Sequence, residues 1–179
     1  EKMVEASNTL SELAIVRLGE EKTNIRNKRK DLKEGFTLKP LKNGMAEDLS
    51  KWRLEFLGRP GTIWEGPVYS GIFHIPSDYP VKAPVFVFDN LNGKEPLQHI
   101  NIYSSGKVCI DVLTSAYKPE KTLLELAEQI ENMLYDPNPK SPANGVLNGL
   151  YTRDRPGYDA KIKEQAAAIK AYQESKADK

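Results

Sequence analysis

The chain has one cysteine, Cys109, at the end of the run His99-Ile-Asn-Ile-Tyr-Ser-Ser-Gly-Lys-Val-Cys109. A lone thiol makes no internal disulfide and has no cysteine partner for a zinc site. It is then either a small buried hydrophobe or a nucleophile. Residue type alone favours burial, because free cysteine is among the most buried residues. Asn101, eight residues upstream, favours chemistry. Its amide N–H could hydrogen-bond an oxygen that turns negative when the sulfur attacks a carbonyl. One such donor is worth about 3 kcal/mol, a factor of ~100 in rate. A cysteine hydrolase would also need a base oriented by a third group. Only two histidines, His74 and His99, are available, and no third partner is apparent for His74.

These residues need elements to hold them. Leu10, Leu13, Ala14, Leu18, Glu21 and Ile25 keep 3–4 spacing, which predicts a helix from Leu10 to about Lys30, with Gly35 able to end it. The period then changes to two. Phe36–Leu41, Lys51–Phe56, Val68–Ile75 and Val85–Phe88 read as strands. Short turns such as Lys42-Asn-Gly44 join them, which predicts an antiparallel meander. A long stretch from Asp89 to about Lys121 has few periodic apolar positions and contains Cys109. Irregular segments of that length inside a compact domain are usually functional. Helices return after it. Thr122 with Glu125 predicts a capping box, and Asp136-Pro-Asn-Pro139 a stop. A short helix is expected over Ala143–Leu150 and a last one from Pro156 to about Gln173. The class is α+β: an N-terminal helix, a four-stranded antiparallel meander and C-terminal helices. We expect a flexible segment over 1–9 and a single domain over 10–175.

At 179 residues and 39% hydrophobic, the chain can bury one core without disulfides. Glu1 to Glu12 has no apolar signal-peptide core, and no run approaches the ~20 apolar residues of a membrane span. A soluble, intracellular protein is expected, with no membrane partner. Net charge is +1, yet Lys22, Arg26, Lys28, Arg29, Lys30 and Lys33 crowd one stretch. They form either a solvated helix face or a dock for an acidic protein. Nucleic acid is disfavoured, because no aromatics interleave with these bases. Trp52 and Trp64 are expected to pack in the core.

Taken together, Tyr79-Pro80 with Ala83-Pro84, His99-Ile-Asn101, Gly106-Lys-Val-Cys109-Ile-Asp-Val-Leu113, Pro119 with Thr122-Leu123, and Asp136-Pro-Asn-Pro139 resemble the ubiquitin-conjugating enzyme family. The resemblance covers roughly residues 10 to 172. It implies that Cys109 takes the C-terminal glycine of a ubiquitin-like modifier from an activating enzyme as a thioester, then delivers it to a lysine. Asn101 would donate to the oxyanion or hold the loop that shapes the site. His99 is expected to make a structural hydrogen bond within the loop rather than act as a base. Tyr103 and Ser105 would line the groove that desolvates the incoming lysine. No cofactor or metal is implied.

Within the family, Arg17-Leu18 with Glu21, Gly35-Phe36 with Pro40, Gly61-Thr-Ile-Trp-Glu-Gly66 and Tyr103-Ser-Ser-Gly106 are similar to the SUMO-conjugating branch. That implies a SUMO-type modifier, its activating enzyme, ligases and lysine-bearing substrates as partners, in nucleus and cytoplasm. Arg17, Lys22 and Arg26 would contact the modifier or activating enzyme. Some positions depart. Ile100 replaces the middle proline of His-Pro-Asn, and Tyr117 stands where tryptophan is common. Ser141 replaces an acidic residue beside the active site, and Val85 a lysine that reads acids beside the acceptor. The Leu113–Pro119 segment matches the ubiquitin branch in length, and the Asp89–Gln98 loop is longer than usual.

Overall fold

A computed structural model describes residues 9–179; residues 1–8, nearly all of the segment expected to be flexible, lie outside the described residues. Helix α1 spans Glu12–Asn27. Ser11 caps it by accepting from the Ala14 N–H at 3.1 Å. Ala14, Leu18, Glu21 and Ile25 are its buried stripe, whereas Leu13 is 60% exposed. The helix ends at Asn27 and not near Lys30. Gly35 lies in the turn before the first strand. Its φ is +75°, and a Cβ there would come within 2.6 Å of the Leu57 side chain.

The four strands are β1 (Thr37–Asn43), β2 (Ala46–Leu57), β3 (Val68–His74) and β4 (Val85–Phe88), paired antiparallel in chain order. The meander is as expected. The register shifts between Pro40 and Leu41, where proline has no N–H to give the ladder. Strand β2 starts earlier than the expected Lys51. Glu47 and Asp48 pair with Lys42 and Leu41 as a polar hairpin end, which carries no alternating apolar signal. The inner face is aromatic: Trp52, Phe56, Tyr69, Phe73 and Phe86 are all buried. Trp64 is buried too.

Helix α2 (Leu123–Met133) has the expected capping box, with Thr122 and Glu125 bonding each other's backbone N–H. Helix α3 (Gly145–Arg153) is capped by Asn144, and α4 (Arg155–Ala177) by Asp154. Two buried carboxylates tie the layers together. Glu21 accepts from the Tyr79 hydroxyl at 2.7 Å and the Leu123 N–H at 3.0 Å. Burial outweighs these bonds and pushes its carboxyl above the ordinary glutamate range. Glu131 accepts two bonds from Arg59, at 2.9 and 2.6 Å, and one from Lys33 at 3.0 Å.

The segment from Asp89 to Lys121 is irregular, as expected, apart from a 3-10 turn at Asp111–Leu113 and two isolated bridges. Its long first part packs against α4. The Gln98 N–H donates to Gln165 at 2.7 Å, and the Gln165 amide returns a bond to the Gln98 carbonyl at 3.1 Å.

Candidate active site

Residues 101–109 form a tight hairpin. The Tyr103 N–H donates to the Lys107 carbonyl, the Gly106 N–H to Tyr103, and the Cys109 N–H to Asn101, each at 2.9 Å. Gly106 sits at φ +87°, and a Cβ there would lie 2.8 Å from the Phe88 carbonyl oxygen. Glycine thus lets the hairpin close on β4. The Phe88 N–H donates to the Gly106 carbonyl at 2.9 Å, and Val108 N–H to Phe86 at 3.0 Å. An otherwise irregular loop is stitched to the free edge of the sheet, and this fixes the position of the thiol.

Cys109 is half-buried. The Tyr103 hydroxyl donates to its Sγ at 3.5 Å. That bond holds the phenol above the usual tyrosine range. Tyr103 is itself 44% exposed, so both groups face an incoming reactant.

Asn101 is buried, and its amide is fully committed. Nδ2 donates to the Asn138 carbonyl at 3.0 Å and to the Ser141 carbonyl at 3.1 Å; Oδ1 accepts from the Asn138 N–H at 2.9 Å. Both amide protons are used. In this arrangement Asn101 holds the loop beside the thiol, and donation to an oxyanion requires release of one of those carbonyls. His99 is fully buried and packs against Trp64, with ring centroids 5.5 Å apart. Its Nδ1 accepts from the Asn101 N–H at 2.9 Å, so Nε2 carries the proton and donates to the Met133 carbonyl at 2.8 Å. Burial pushes the imidazole down to about 4. It is a neutral structural group at neutral pH, as expected.

Ile100 turns its side chain wholly into the core. Its carbonyl accepts from the Ala143 and Asn144 N–H groups at 2.8 and 3.0 Å, which fixes the entry to α3. Tyr117 donates its hydroxyl to the Pro80 carbonyl at 2.7 Å. Ser105 is exposed at the hairpin tip, where its Oγ accepts from the Lys107 N–H at 3.4 Å. Ser141 reaches the site through its carbonyl. Sequence reasoning missed the role of Asn138, which holds Asn101 from both its N–H and its carbonyl; the Asp136-Pro-Asn-Pro139 run around it reads as a helix stop and a family motif, with no site role for the asparagine.

Away from the thiol, a groove of about 300 Å³ runs between α1 and β1. Lys22, Arg26, Arg29 and Lys39 are among its charged residues, and Phe36 and Trp52 among the apolar ones. Lys22 is ion-paired with Glu47, so part of its charge is already answered. Arg17 does not line this groove. Its guanidinium donates to the Lys121 carbonyl at 3.1 Å and lies 3.5 Å from Glu21, at the α1–α2 junction. Among the described residues no His, Cys, Asp and Glu cluster could hold a metal ion.

The sheet, the hairpin and the surface thiol define one class of protein. The chain belongs to the ubiquitin-conjugating enzyme family, whose profile matches residues 17–166. It is therefore an acyltransferase that works through a thioester. It is 33% identical over 165 residues to the SUMO-conjugating enzyme UBC9 of Caenorhabditis elegans, covering 90% of this chain and 95% of that protein. It is 34% identical over 157 residues to the Sumo-conjugating enzyme ubc9 of Dictyostelium discoideum, covering 86% of this chain and 94% of that one.

Proposed function

We propose that the chain is a SUMO-conjugating enzyme with Cys109 as its acyl acceptor. The observation that carries this is the half-buried Cys109 sulfur, presented by a hairpin bonded to the sheet edge and touched by the exposed Tyr103 hydroxyl. The two named relatives support the choice of modifier.

The thiolate attacks the thioester carbonyl of the modifier held by its activating enzyme. A tetrahedral oxyanion forms and collapses, the activating enzyme's thiolate leaves, and the modifier is carried on Cys109. A neutral lysine amine then attacks the new thioester. The amine loses its proton, an isopeptide bond forms, and Cys109 leaves as thiolate. Asn101 fixes the Asn138–Ser141 loop that walls the site, and His99 fixes Asn101. Tyr103 and Ser105 border the approach of the amine, which must shed its proton by desolvation. Ser141 offers no carboxylate for that task. Lys22 and Arg26 belong to a surface for the modifier or its activating enzyme, and ligases bring substrates to the charged form.

The test presents each modifier with its own activating enzyme and nucleotide. The expected result is a reducing-agent-sensitive adduct with a SUMO-type modifier and none with ubiquitin. Adduct formation with ubiquitin alone rejects the assignment.

A further inference from the structure

Two extended arms meet at the thiol. Ile102 and Val108 are bridged in antiparallel fashion, and the next pair toward the hairpin tip is Tyr103 with Lys107. The Tyr103 N–H donates to the Lys107 carbonyl at 2.9 Å. Facing residues of such a pair share one face. The second arm stays extended as far as Ile110, at φ −130° and ψ 152°. Along an extended arm, alternate residues point the same way. Val108 is buried, whereas Lys107 before it is exposed and Cys109 after it is half-buried. A side-chain contact agrees with this register: Tyr103, which faces Lys107, sets its hydroxyl 3.5 Å from the Cys109 Sγ. Tyr103, Lys107 and Cys109 therefore share one patch.

Lys107 brings an amine to that patch. Among the described residues nothing pairs with its ammonium; only its backbone groups are bonded. The carboxylate just past β4, Asp89, is already held by Arg53 at 2.6 Å and by the Ser70 hydroxyl at 2.7 Å. Residues two apart along an extended arm lie ~6.7 Å from one another. A lysine stem, a zigzag of bonds each ~1.5 Å long, carries its nitrogen ~6 Å from its Cα. An acyl carbon on a cysteine sulfur stands ~4 Å out from the backbone. Rotation of the Lys107 side chain alone thus brings its amine to the carbonyl of a thioester on Cys109. A reactant tethered within reach acts at an effective concentration of about millimolar or above. A substrate lysine has that advantage only once it is bound.

We infer that Lys107 is an internal acceptor: when no substrate lysine takes the modifier from Cys109, the modifier moves to the Lys107 amine of the same chain. The neutral amine attacks the thioester carbonyl. The C–N bond forms, the C–S bond breaks, and the amine proton passes through water to the departing sulfur, which returns as the Cys109 thiol. The step is slow beside loading, because the attacking amine must first lose its proton and its water. The isopeptide then fills the face from which Cys109 is loaded, and enzyme that stays charged without a substrate is retired. The inference rests on Cys109 carrying the modifier, so the thioester is measured first on a non-reducing gel. Failure to load counts against the proposed function and not against Lys107. Loaded enzyme is then separated from activating enzyme and nucleotide and kept without acceptor at several concentrations. The thioester should convert to a one-to-one adduct that reductant leaves intact, at a rate independent of enzyme concentration, with the branch mapped to Lys107 by mass spectrometry. Lys107→Arg keeps a long stem and the charge and should lower the adduct about tenfold, its thioester decaying to free modifier instead. Cys109→Ala should carry no branch at Lys107. A parent thioester that decays only to free modifier overturns the inference. So does a branch on another lysine in place of Lys107, a rate that rises with enzyme concentration, or an equal adduct yield in Lys107→Arg. The mapping in the parent enzyme decides even if a variant loads poorly.

Discussion

Asn101 and Asn138 hold each other twice: the Asn101 amide donates to the Asn138 carbonyl at 3.0 Å and accepts from the Asn138 N–H at 2.9 Å. This reciprocal pair makes Asn101 a structural member of the site in the unloaded protein. Asn101→Ala leaves the Asn138 N–H and the Ser141 carbonyl without partners and the Asn138 carbonyl with only the 3.4 Å bond from the Ser141 N–H, at a cost of about 2–3 kcal/mol. Urea unfolding should show that loss, and amide exchange should quicken over residues 138–144. An unchanged unfolding midpoint, with a rate loss alone, would assign Asn101 to the oxyanion only.

His99 gives the fold a pH dependence. Its imidazole is pushed from the ordinary 6.5 down to about 4 by burial. Between those values the unfolded chain binds more protons than the folded one. Stability is therefore full above pH 6.5 and falls by roughly 3 kcal/mol as pH drops toward 4. An NMR titration of the His99 ring should find it neutral throughout pH 5–8. Titration near 6.5 would contradict the buried, doubly bonded geometry.

Arg59 grips Glu131 through two bonds and stacks on Tyr135 with its guanidinium 4.0 Å from the ring centre. Burial alone would raise the Glu131 carboxyl, but the Arg59 and Lys33 bonds more than offset it, and the group sits below its usual range. The pair's contribution is present above about pH 4.5 and is lost as pH falls below it. Arg59→Ala leaves Glu131 buried with only the exposed Lys33, and should cost about 3 kcal/mol at pH 7. Denaturant midpoints at pH 7 and pH 4 should differ less in the variant than in the parent. Equal destabilisation at both pH values would show that the loss is packing on Tyr135 and not charge.

The fold was largely legible because period and punctuation agree. Strands with one aromatic face, a Lys-Asn-Gly turn and a Thr–Glu capping box each carry a local signal. The helix end at Asn27 was not legible, because Lys28, Arg29 and Lys30 are compatible with either helix or turn. In the site, the lone Cys109 and the asparagine near it were readable from type and spacing. The partners of Asn101 were not, since Asn138 and Ser141 meet it only through backbone groups 37 and 40 residues away. Glu21 in an apolar stripe was the visible sign of a buried carboxylate, although its bonds to Tyr79 and Leu123 needed the structure.

The groove along α1 makes a separate prediction. Arg26→Glu should weaken non-covalent binding of the modifier about tenfold at low salt and less at moderate salt, as expected for exposed charges. Lys22→Glu would also set two carboxylates side by side, since Lys22 now pairs with Glu47. Arg26 is therefore the cleaner probe. Titration calorimetry at two salt concentrations checks it, and an unchanged affinity at both would remove this groove from the interface.

The most direct test of the account is the chemical nature of the bond to the modifier. Parent protein, Cys109→Ser and Cys109→Ala are each incubated with a SUMO-type modifier, its activating enzyme and nucleotide, then analysed by mass spectrometry with and without reductant. The parent should form a one-to-one adduct at Cys109 that reductant removes. Cys109→Ser should form an adduct that reductant leaves intact, because an ester has no thiol-exchangeable sulfur, and Cys109→Ala should form none. A reductant-sensitive adduct cannot form on Cys109→Ala, where no thiol remains; any stable adduct on that variant, or none on the parent, would contradict the account.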